Sequence, residues 1–198
     1  MDHSCGLAAR VHRQDRLRLS SSALTIGAFD GVHAGHRALI RSTVVSARRL
    51  GVPAVVYTFD PPPGVVLRGA VPLISVEEKV FRICALGVDH IVVARFDAHY
   101  RSRTAGDFVS ELRRLSPLVV WVGADFRFGA CKSGSPELLA RSFETRILPA
   151  LCCEAGEIVS SSRIRALKAA GRLQEADRLE GWSRPLRSHD QGDRHVRA

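Results

Sequence analysis

Short apolar segments alternate along this chain with segments of helical periodicity, and this alternation constrains the fold more than any other feature. The apolar segments lie at residues 23–26, 54–59, 90–94 and 118–122. They are rich in β-branched residues and continuously apolar, as expected for strands that are covered on both faces. Strands that alternate with helices form parallel sheets. The sequence therefore predicts an α/β fold, a Rossmann-like parallel sheet with helices on both faces.

Helix start and stop signals support this prediction. Leu39, Ile40 and Val44 recur at helical spacing, and Gly51 ends that pattern. Serine or threonine followed three residues later by an acidic residue is typical of a helix start. Further elements are expected as helices at about 75–87, 104–115, 162–170 and 173–180 and from residue 136, a strand at 145–148 and a loop at 60–64.

The length and composition indicate one packed domain. The chain has 198 residues, of which 45% are apolar, enough for a single α/β core. We expect one folded domain at 21–182, with basic tails at 1–20 and 183–198. Without a long apolar run or a secretory signal, the expected location is the cytoplasm, with no membrane partner. Five cysteines without CxxC spacing argue against a disulfide framework and a zinc site.

The positive charge of the chain is compatible with several anionic partners. The formal net charge of +9 attracts nucleic acid, nucleotides and other phosphorylated small molecules alike. Much of the excess lies in the flanks, which predicts solvated tails rather than a nucleic-acid interface. The arginines concerned are Arg10, Arg13, Arg16, Arg18, Arg184, Arg187, Arg194 and Arg197.

The strongest chemical signal is the decamer GAFDGVHAGH at residues 27–36. It follows the first apolar segment, and its glycines allow a tight turn before the next helix. His33 and His36 lie three apart and are expected to share a face in the first helical turn. The positive end of a helix favours an anion there, so both imidazoles can converge on one phosphate. Asp30 suits the turn better than it suits a metal ion.

Two further segments carry chemistry. Residues 159–165, VSSSRIR, place three hydroxyls at a helix start and two arginines in its first turn, which suits phosphate oxygens. Residues 123–129, GADFRFG, follow the fourth strand and combine loop amides with aromatic rings. Ligands of parallel sheets bind beyond the carboxyl ends of the strands, where these loops and 59–63 lie.

These motifs together resemble those of one family. The decamer resembles the HxGH signature of nucleotidyltransferases, and in its full length that of bacterial FAD synthetase. Residues 159–165 resemble the I-S-S-T/S-x-I-R motif of that family, and 123–129 its G-x-D/N-F-x-F-G loop. The resemblance covers about 23–182. It implies the nucleotidyltransferase (HxGH) type of fold and adenylyl transfer from ATP to FMN, which gives FAD and pyrophosphate, with Mg²⁺ bound to the ATP.

The resemblance also implies roles for individual residues. His33, His36 and Arg163 would be catalytic. Nucleotide binding would involve Gly27, Ala28, Phe29, Asp30, Gly35, Gly123, Asp125, Ser160, Ser161, Ser162 and Arg165. Flavin binding would involve Phe59, Asp60, Pro61, Asp125 and Phe128. No metal-ligating side chain is expected.

The chain also departs from the family pattern. Pro62 stands where the family carries a histidine in T-F-D-P-H-P, and proline cannot donate to a phosphate. The riboflavin kinase half, with its Pro-Thr-Ala-Asn type loop, has no counterpart, so we expect no kinase activity. Two alternatives stay open: transfer of AMP or CMP to another phosphorylated acceptor, and a catalytically quiet paralogue that binds flavin nucleotides or nucleic acid.

Overall fold

A computed structural model describes residues 9–153 and 155–182 of the chain. Within these residues, six parallel strands form one sheet in the order β1-β4-β3-β2-β5-β6. The strands are β1 (Arg10–Arg13), β2 (Ser22–Ile26), β3 (Ala54–Asp60), β4 (His90–Arg95), β5 (Pro117–Gly123) and β6 (Thr145–Leu148). The predicted parallel α/β fold is confirmed.

The helices connect these strands and continue beyond them. They are α1 (Ala34–Leu50), α2 (Pro63–Arg68), α3 (Val76–Cys84), α4 (Ala98–Ser102), α5 (Ala105–Leu112), α6 (Pro136–Ala140), α7 (Ser161–Ala169) and α8 (Leu173–Glu180), with 3₁₀ turns at Arg113–Leu115 and Ala130–Lys132. The capping box predicted at Thr104 is formed, because its hydroxyl accepts from the backbone of Asp107 and the Asp107 carboxylate accepts from the backbone of Thr104.

The prediction of a basic N-terminal tail is wrong for part of residues 1–20. Arg10–Arg13 form β1, which pairs in parallel with β4 from Arg10 opposite His90 onward. Charged side chains do not prevent this pairing, because an edge strand exposes one side to solvent and its backbone makes the hydrogen bonds. The C-terminal arginines at 184, 187, 194 and 197 lie outside the described residues.

The loop predicted at 60–64 is also wrong at its second half. Pro62 is the N-cap residue of α2 and Pro63 its first helical residue, where the fixed φ of proline and its missing N–H are both tolerated. Gly69 ends the helix in the left-handed region. A proline run therefore starts a short helix here.

Two hydrophobic layers cover the sheet. One face, which includes Tyr57 and Phe59, packs against α5. The other face, which includes Val56 and Ile91, packs against Ile40 of α1 and the buried side of α3. In the part of the chain that the structure describes, no helix has both the length and the apolar character that a bilayer crossing requires. Both faces of the sheet are thus covered, and the carboxyl ends of the strands are the place where a ligand is expected to bind.

Candidate active site

The loops that the sequence singled out meet at the carboxyl edge of the sheet. Loop 27–33 follows β2, loop 61–62 follows β3, and loop 124–129 follows β5. Because β3, β2 and β5 are neighbouring parallel strands, these loops leave the sheet at the same edge. Strand order reverses at β2, since β3 and β5 lie on its two sides, and such reversals form ligand-binding crevices.

The two histidine rings stack directly on each other, although only one of the two residues lies within the helix. His33 is the N-cap residue of α1 with an extended backbone, whereas His36 lies in the first turn. Their rings stack at a centroid distance of 3.6 Å and an interplanar angle of 20°. Phe29 meets His36 edge-on at 5.2 Å. The expectation that both lie within the helical turn is therefore wrong for His33, although the two rings do converge.

Both imidazoles are held in the neutral form. Burial, reinforced by the positive charge of Arg37, lowers the pKa of His33 to about 4. Burial also lowers the pKa of His36, and His33 and Lys79 act in the same direction. The Nδ1 atoms of both rings are buried and lack a hydrogen-bond partner among the described residues. Leaving a buried polar atom unpaired costs about 1–3 kcal/mol, so this arrangement favours binding of a ligand that supplies partners.

The buried state of His33 makes stability depend on pH. Its pKa is about 4 in the folded chain against 6.5 without the fold. The unfolded chain then binds more protons between these values, so stability is fully present above pH 6.5 and decreases as the pH falls towards 4. We expect the free energy of unfolding to fall between pH 7.5 and 5.0 by about 2 kcal/mol more in the wild type than in His33→Gln. Urea unfolding at both pH values measures this, and equal pH effects in the two proteins would contradict it.

Two helix N-termini add positive potential to the histidine loop. The first turns of α1 and α7 contain no acidic residue, so nothing cancels their dipoles. Ser160 caps α7 by accepting from the backbone N–H of Arg163. The hydroxyl of Ser161 donates to the carbonyl of Asp30 at 2.8 Å, which fastens the start of α7 to the loop before α1. The arrangement suits an anion that both helices face.

Asp30 connects this loop to two other parts of the chain. Its buried carboxylate accepts from the backbone N–H of Leu73 at 2.9 Å and pairs with the guanidinium of Arg165. Arg165 also donates to the carbonyl of Val71 at 2.7 Å. These contacts join the turn to residues more than forty positions away, and the role of Asp30 in shaping the turn itself stays a prediction. Arg165, assigned to the nucleotide from the sequence, makes contacts within the protein instead.

Arg163 lies beside a different partner set. Its guanidinium pairs with the exposed carboxylate of Glu157 and donates to Cys153 Sγ at 3.3 Å. These contacts raise the pKa of Arg163 and lower that of the Cys153 thiol. An exposed carboxylate is an easily displaced partner, so Arg163 remains a candidate for phosphate binding.

The aromatic residues form a continuous cluster at this edge. Phe59 packs on Phe96 with ring centroids 5.8 Å apart, and Phe128 stacks on Phe126 at 5.5 Å and 25°. Phe59 and Phe128 are themselves buried in the core beside Phe108. The accessible aromatic surface therefore belongs to Phe96 and Phe126, which the sequence did not single out. Spacing alone did not show which ring of FRF points outward.

The remaining predicted site residues lie on the same loops. The amide of Gly27 donates to Tyr57 in β3 at 3.1 Å, and the carbonyl of Ala28 accepts from Thr58 at 3.1 Å. A Cβ on Gly35 would touch the His33 ring at 3.4 Å. The others lie at strand ends, on these loops or on α7. Asp60 and Gly123 are the last residues of β3 and β5, Pro61 and Asp125 lie in the loops that follow, and the exposed Ser162 lies in the first turn of α7.

Two residues near the histidines carried no signal in the sequence. The Trp182 indole donates to the carbonyl of Val32 at 2.7 Å, and the guanidinium groups of Arg37 and Arg82 lie 5.2 and 5.3 Å from its ring centroid. Lys79, in the middle of α3, is buried with its amine at the carboxyl ends of β2 and β3. The contact of Trp182 with Val32 spans 150 residues and those of Lys79 span 20 and 51, distances that local sequence patterns do not report.

The described residues contain no cluster of three or more histidine, cysteine or acidic side chains that would suit a metal ion. The carboxylate of Asp30 is engaged by Arg165. The donor set at the histidine loop is therefore one of imidazoles, backbone amides and cations, which fits phosphate oxygens.

Comparisons with known proteins show which proteins this chain is similar to. A family model described as FAD synthetase matches residues 15–163. A protein of Geobacillus thermodenitrificans named as a bifunctional riboflavin kinase/FMN adenylyltransferase is 44% identical over 180 residues, which cover 90% of this chain and 99% of that relative. The Escherichia coli K12 protein of the same name is 33% identical over 181 residues.

These relatives differ in how much of their length they share with this chain. The match covers 86% of this chain but only 58% of the E. coli protein. A crystal structure of a protein described as a macrolide-efflux protein from Streptococcus pneumoniae superposes with a TM-score of 0.78 at 27% identity, covering 87% of this chain and 62% of that one. The chain thus spans about three fifths of several longer proteins.

Proposed function

The chain belongs to the FAD synthetase family, and from that premise we propose that it transfers the AMP moiety of ATP to the phosphate of FMN. As a family member it is a nucleotidyltransferase. In the proposed reaction, a phosphate oxygen of FMN attacks the α-phosphorus of ATP. The bond from this phosphorus to the bridging oxygen breaks, and pyrophosphate leaves as FAD forms.

One observation carries the proposal: a stacked, neutral histidine pair lies at the positive end of α1 with both Nδ1 atoms buried and unpartnered among the described residues. Phosphate oxygens are suitable partners for such nitrogens. Neutral imidazoles bind an anion through directed N–H donation, and the helix N-terminus supplies the positive potential. Because both substrates are anions, catalysis here consists of positioning and charge stabilisation.

The rest of the site divides between the two substrates in our proposal. Arg163 and the hydroxyl-rich start of α7 bind the triphosphate, and the half-buried faces of Phe96 and Phe126 pack on the isoalloxazine. Asp125 and the amides of loop 124–129 take polar edges. Magnesium enters with ATP, since the triphosphate and water supply the oxygen ligands that this ion prefers.

The assay that tests this function mixes the purified protein with magnesium, ATP and FMN and resolves the flavins by chromatography. We expect FAD, none of it when CTP replaces ATP, and no FMN when riboflavin replaces FMN. The last result would support our further proposal that this chain lacks riboflavin kinase activity. If no FAD forms while the folded protein binds ATP, FMN is the wrong acceptor; the buried Pro62, which has no N–H where the family pattern has histidine, would then be the first residue to examine.

The ion pair between Arg163 and Glu157 leads to a separate prediction. Glu157 competes with the triphosphate for the guanidinium, and an exposed pair of this kind contributes about 0.2–1 kcal/mol. We expect Glu157→Gln to lower KM for ATP by about two- to five-fold while kcat stays unchanged. Steady-state kinetics with varied ATP at low salt measure this.

The matched control for that variant is Glu144→Gln. Glu144 is also an exposed glutamate paired with an arginine, Arg146 at 2.6 Å, but it adjoins β6 away from α7. Its KM for ATP should equal that of the wild type. An unchanged KM in Glu157→Gln would show that Arg163 does not bind the triphosphate.

A further inference from the structure

A buried lysine lies against the histidine loop. Lys79, in α3, is 2% exposed, and its amine donates to the carbonyl of Phe59 at 2.5 Å and approaches that of Ala28 at 3.5 Å. Taking an ammonium group out of water costs several kcal/mol unless it is paired and hydrogen-bonded. A methionine or leucine would fill the same volume without that cost, so the charge itself calls for an explanation.

The two carbonyls lie at the ends of two neighbouring central strands. Phe59 is the second-to-last residue of β3, and Ala28 lies in the loop that leads from β2 to the histidines. The hydroxyl of Thr58 donates to the same Ala28 carbonyl at 3.1 Å. Lys79 therefore joins α3, the end of β3 and the histidine loop through one atom. A displacement of either strand end would move the imidazoles relative to the flavin side of the site.

Lys79 is also coupled electrostatically to the histidines. The groups that face it from the packed elements are Asp60 at the end of β3, Asp30 in the histidine loop and His36 in α1. Asp30 is already paired with Arg165, so it only partly offsets the ammonium. The positive charge disfavours protonation of His36. Burial lowers the pKa of Lys79, whereas Asp60 and Asp30 act in the opposite direction and favour its charged form. The ammonium group thus contributes positive potential beside two neutral N–H donors.

We propose that Lys79 is a positioning residue for adenylyl transfer, whose buried ammonium ties the end of β3 to the histidine loop and keeps a fixed positive charge behind the imidazole pair. The inference rests on the proposed function, because it assigns Lys79 a part in that reaction. It acts through the loop and through His36, because its amine is directed to the carbonyls of Phe59 and Ala28.

The test compares Lys79→Met with Lys79→Gln. Methionine removes both the charge and the hydrogen-bond donor, whereas glutamine removes the charge but keeps an N–H donor on a side chain one bond shorter. We expect kcat for FAD formation to fall by about 10²-fold in Lys79→Met with KM for ATP within about threefold of the wild type, and by a smaller factor in Lys79→Gln. Circular dichroism at the assay temperature selects the folded variants. If methionine prevents folding, Lys79→Gln is the test, and a kcat within twofold of the wild type in that variant would overturn the role of Lys79.

A second readout separates positioning from general support of the fold. Ring signals of His36 in NMR spectra, assigned with His36→Gln, report its protonation as the pH is lowered. Without the lysine charge, its protonation should begin at higher pH in both Lys79 variants. Arg49→Met removes a positive charge from the exposed last turn of α1 and should change neither readout.

The outcomes distinguish this inference from the proposed function. A folded Lys79→Met protein with kcat within twofold of the wild type, or with His36 protonation beginning at the wild-type pH, would overturn the role of Lys79. The proposed function would survive both results. A wild-type protein that makes no FAD would overturn the proposed function, whereas the NMR shift would still report the coupling between Lys79 and His36.

Discussion

Replacing His36 by alanine is expected to lower kcat for FAD formation by about 10²–10³-fold while the protein stays folded. The variant removes one of the two imidazoles whose Nδ1 atoms are buried and unpartnered among the described residues. It also removes the ring on which His33 stacks at 3.6 Å, so the remaining donor loses its orientation. Single-turnover assays with saturating ATP and FMN measure the chemical step directly.

The matched control for this variant is His99→Ala. His99 is exposed on the short helix α4, where its substitution removes the same group without touching the pair. Its rate should equal that of the wild type, and the far-ultraviolet circular dichroism of both variants should match the native spectrum. A His36→Ala protein that turns over at the native rate would contradict the proposed site.

The largest loss of stability is expected for Glu111→Ala, at about 3–5 kcal/mol in the free energy of unfolding. Glu111 is 5% exposed and pairs with Arg103 beneath the sheet. It also accepts from the hydroxyl of Tyr57, while that of Tyr100 lies at 3.4 Å. Burial raises the pKa of both tyrosines, so their hydroxyls stay protonated and donate. Alanine would leave these two buried hydroxyls and the partly buried Arg103 guanidinium without the acceptor that they share.

Urea unfolding at pH 7 measures this loss, and Glu175→Ala is its control. Glu175 pairs with Arg172 at 2.6 Å, but both side chains are about half exposed. Water replaces such a partner readily, so the control should lose less than about 1 kcal/mol. If the two variants lost the same stability, the buried network would contribute no more than a surface pair.

Much of the architecture was predictable because it depends on local chemistry. The apolar strands at 54–59, 90–94 and 118–122 and the capping box at Thr104 are encoded within a few residues, and the structure contains each of them. The same holds for the positions of the loops at residues 27–33, 61–62 and 124–129. Once the strands are parallel, the segments that follow them must reach one edge.

Elements without a local signal were missed or misread. Arg10–Arg13 has the composition of a tail, yet its backbone pairs with β4 about eighty residues away. Pro62 and Pro63 are typical of a loop in the sequence. In the structure they start α2, where a missing N–H group costs no helical hydrogen bond. In these cases a tertiary neighbour, rather than the residue itself, determined the conformation.

Long-range contacts also decided the finer organisation of the site. The sequence predicted a phosphate site with two histidines at a helix start, because a strand, a glycine turn and a helix N-terminus are all local features. It did not predict that Arg165 pairs with Asp30, or that Lys79 brings its charge to the ends of β2 and β3. Which partner a long side chain reaches depends on the packing of elements that are distant in sequence. The sequence by itself therefore determined which chemical groups gather at this edge of the sheet, and the tertiary structure decided which of them pair within the protein and which histidine nitrogens lack a partner among the described residues.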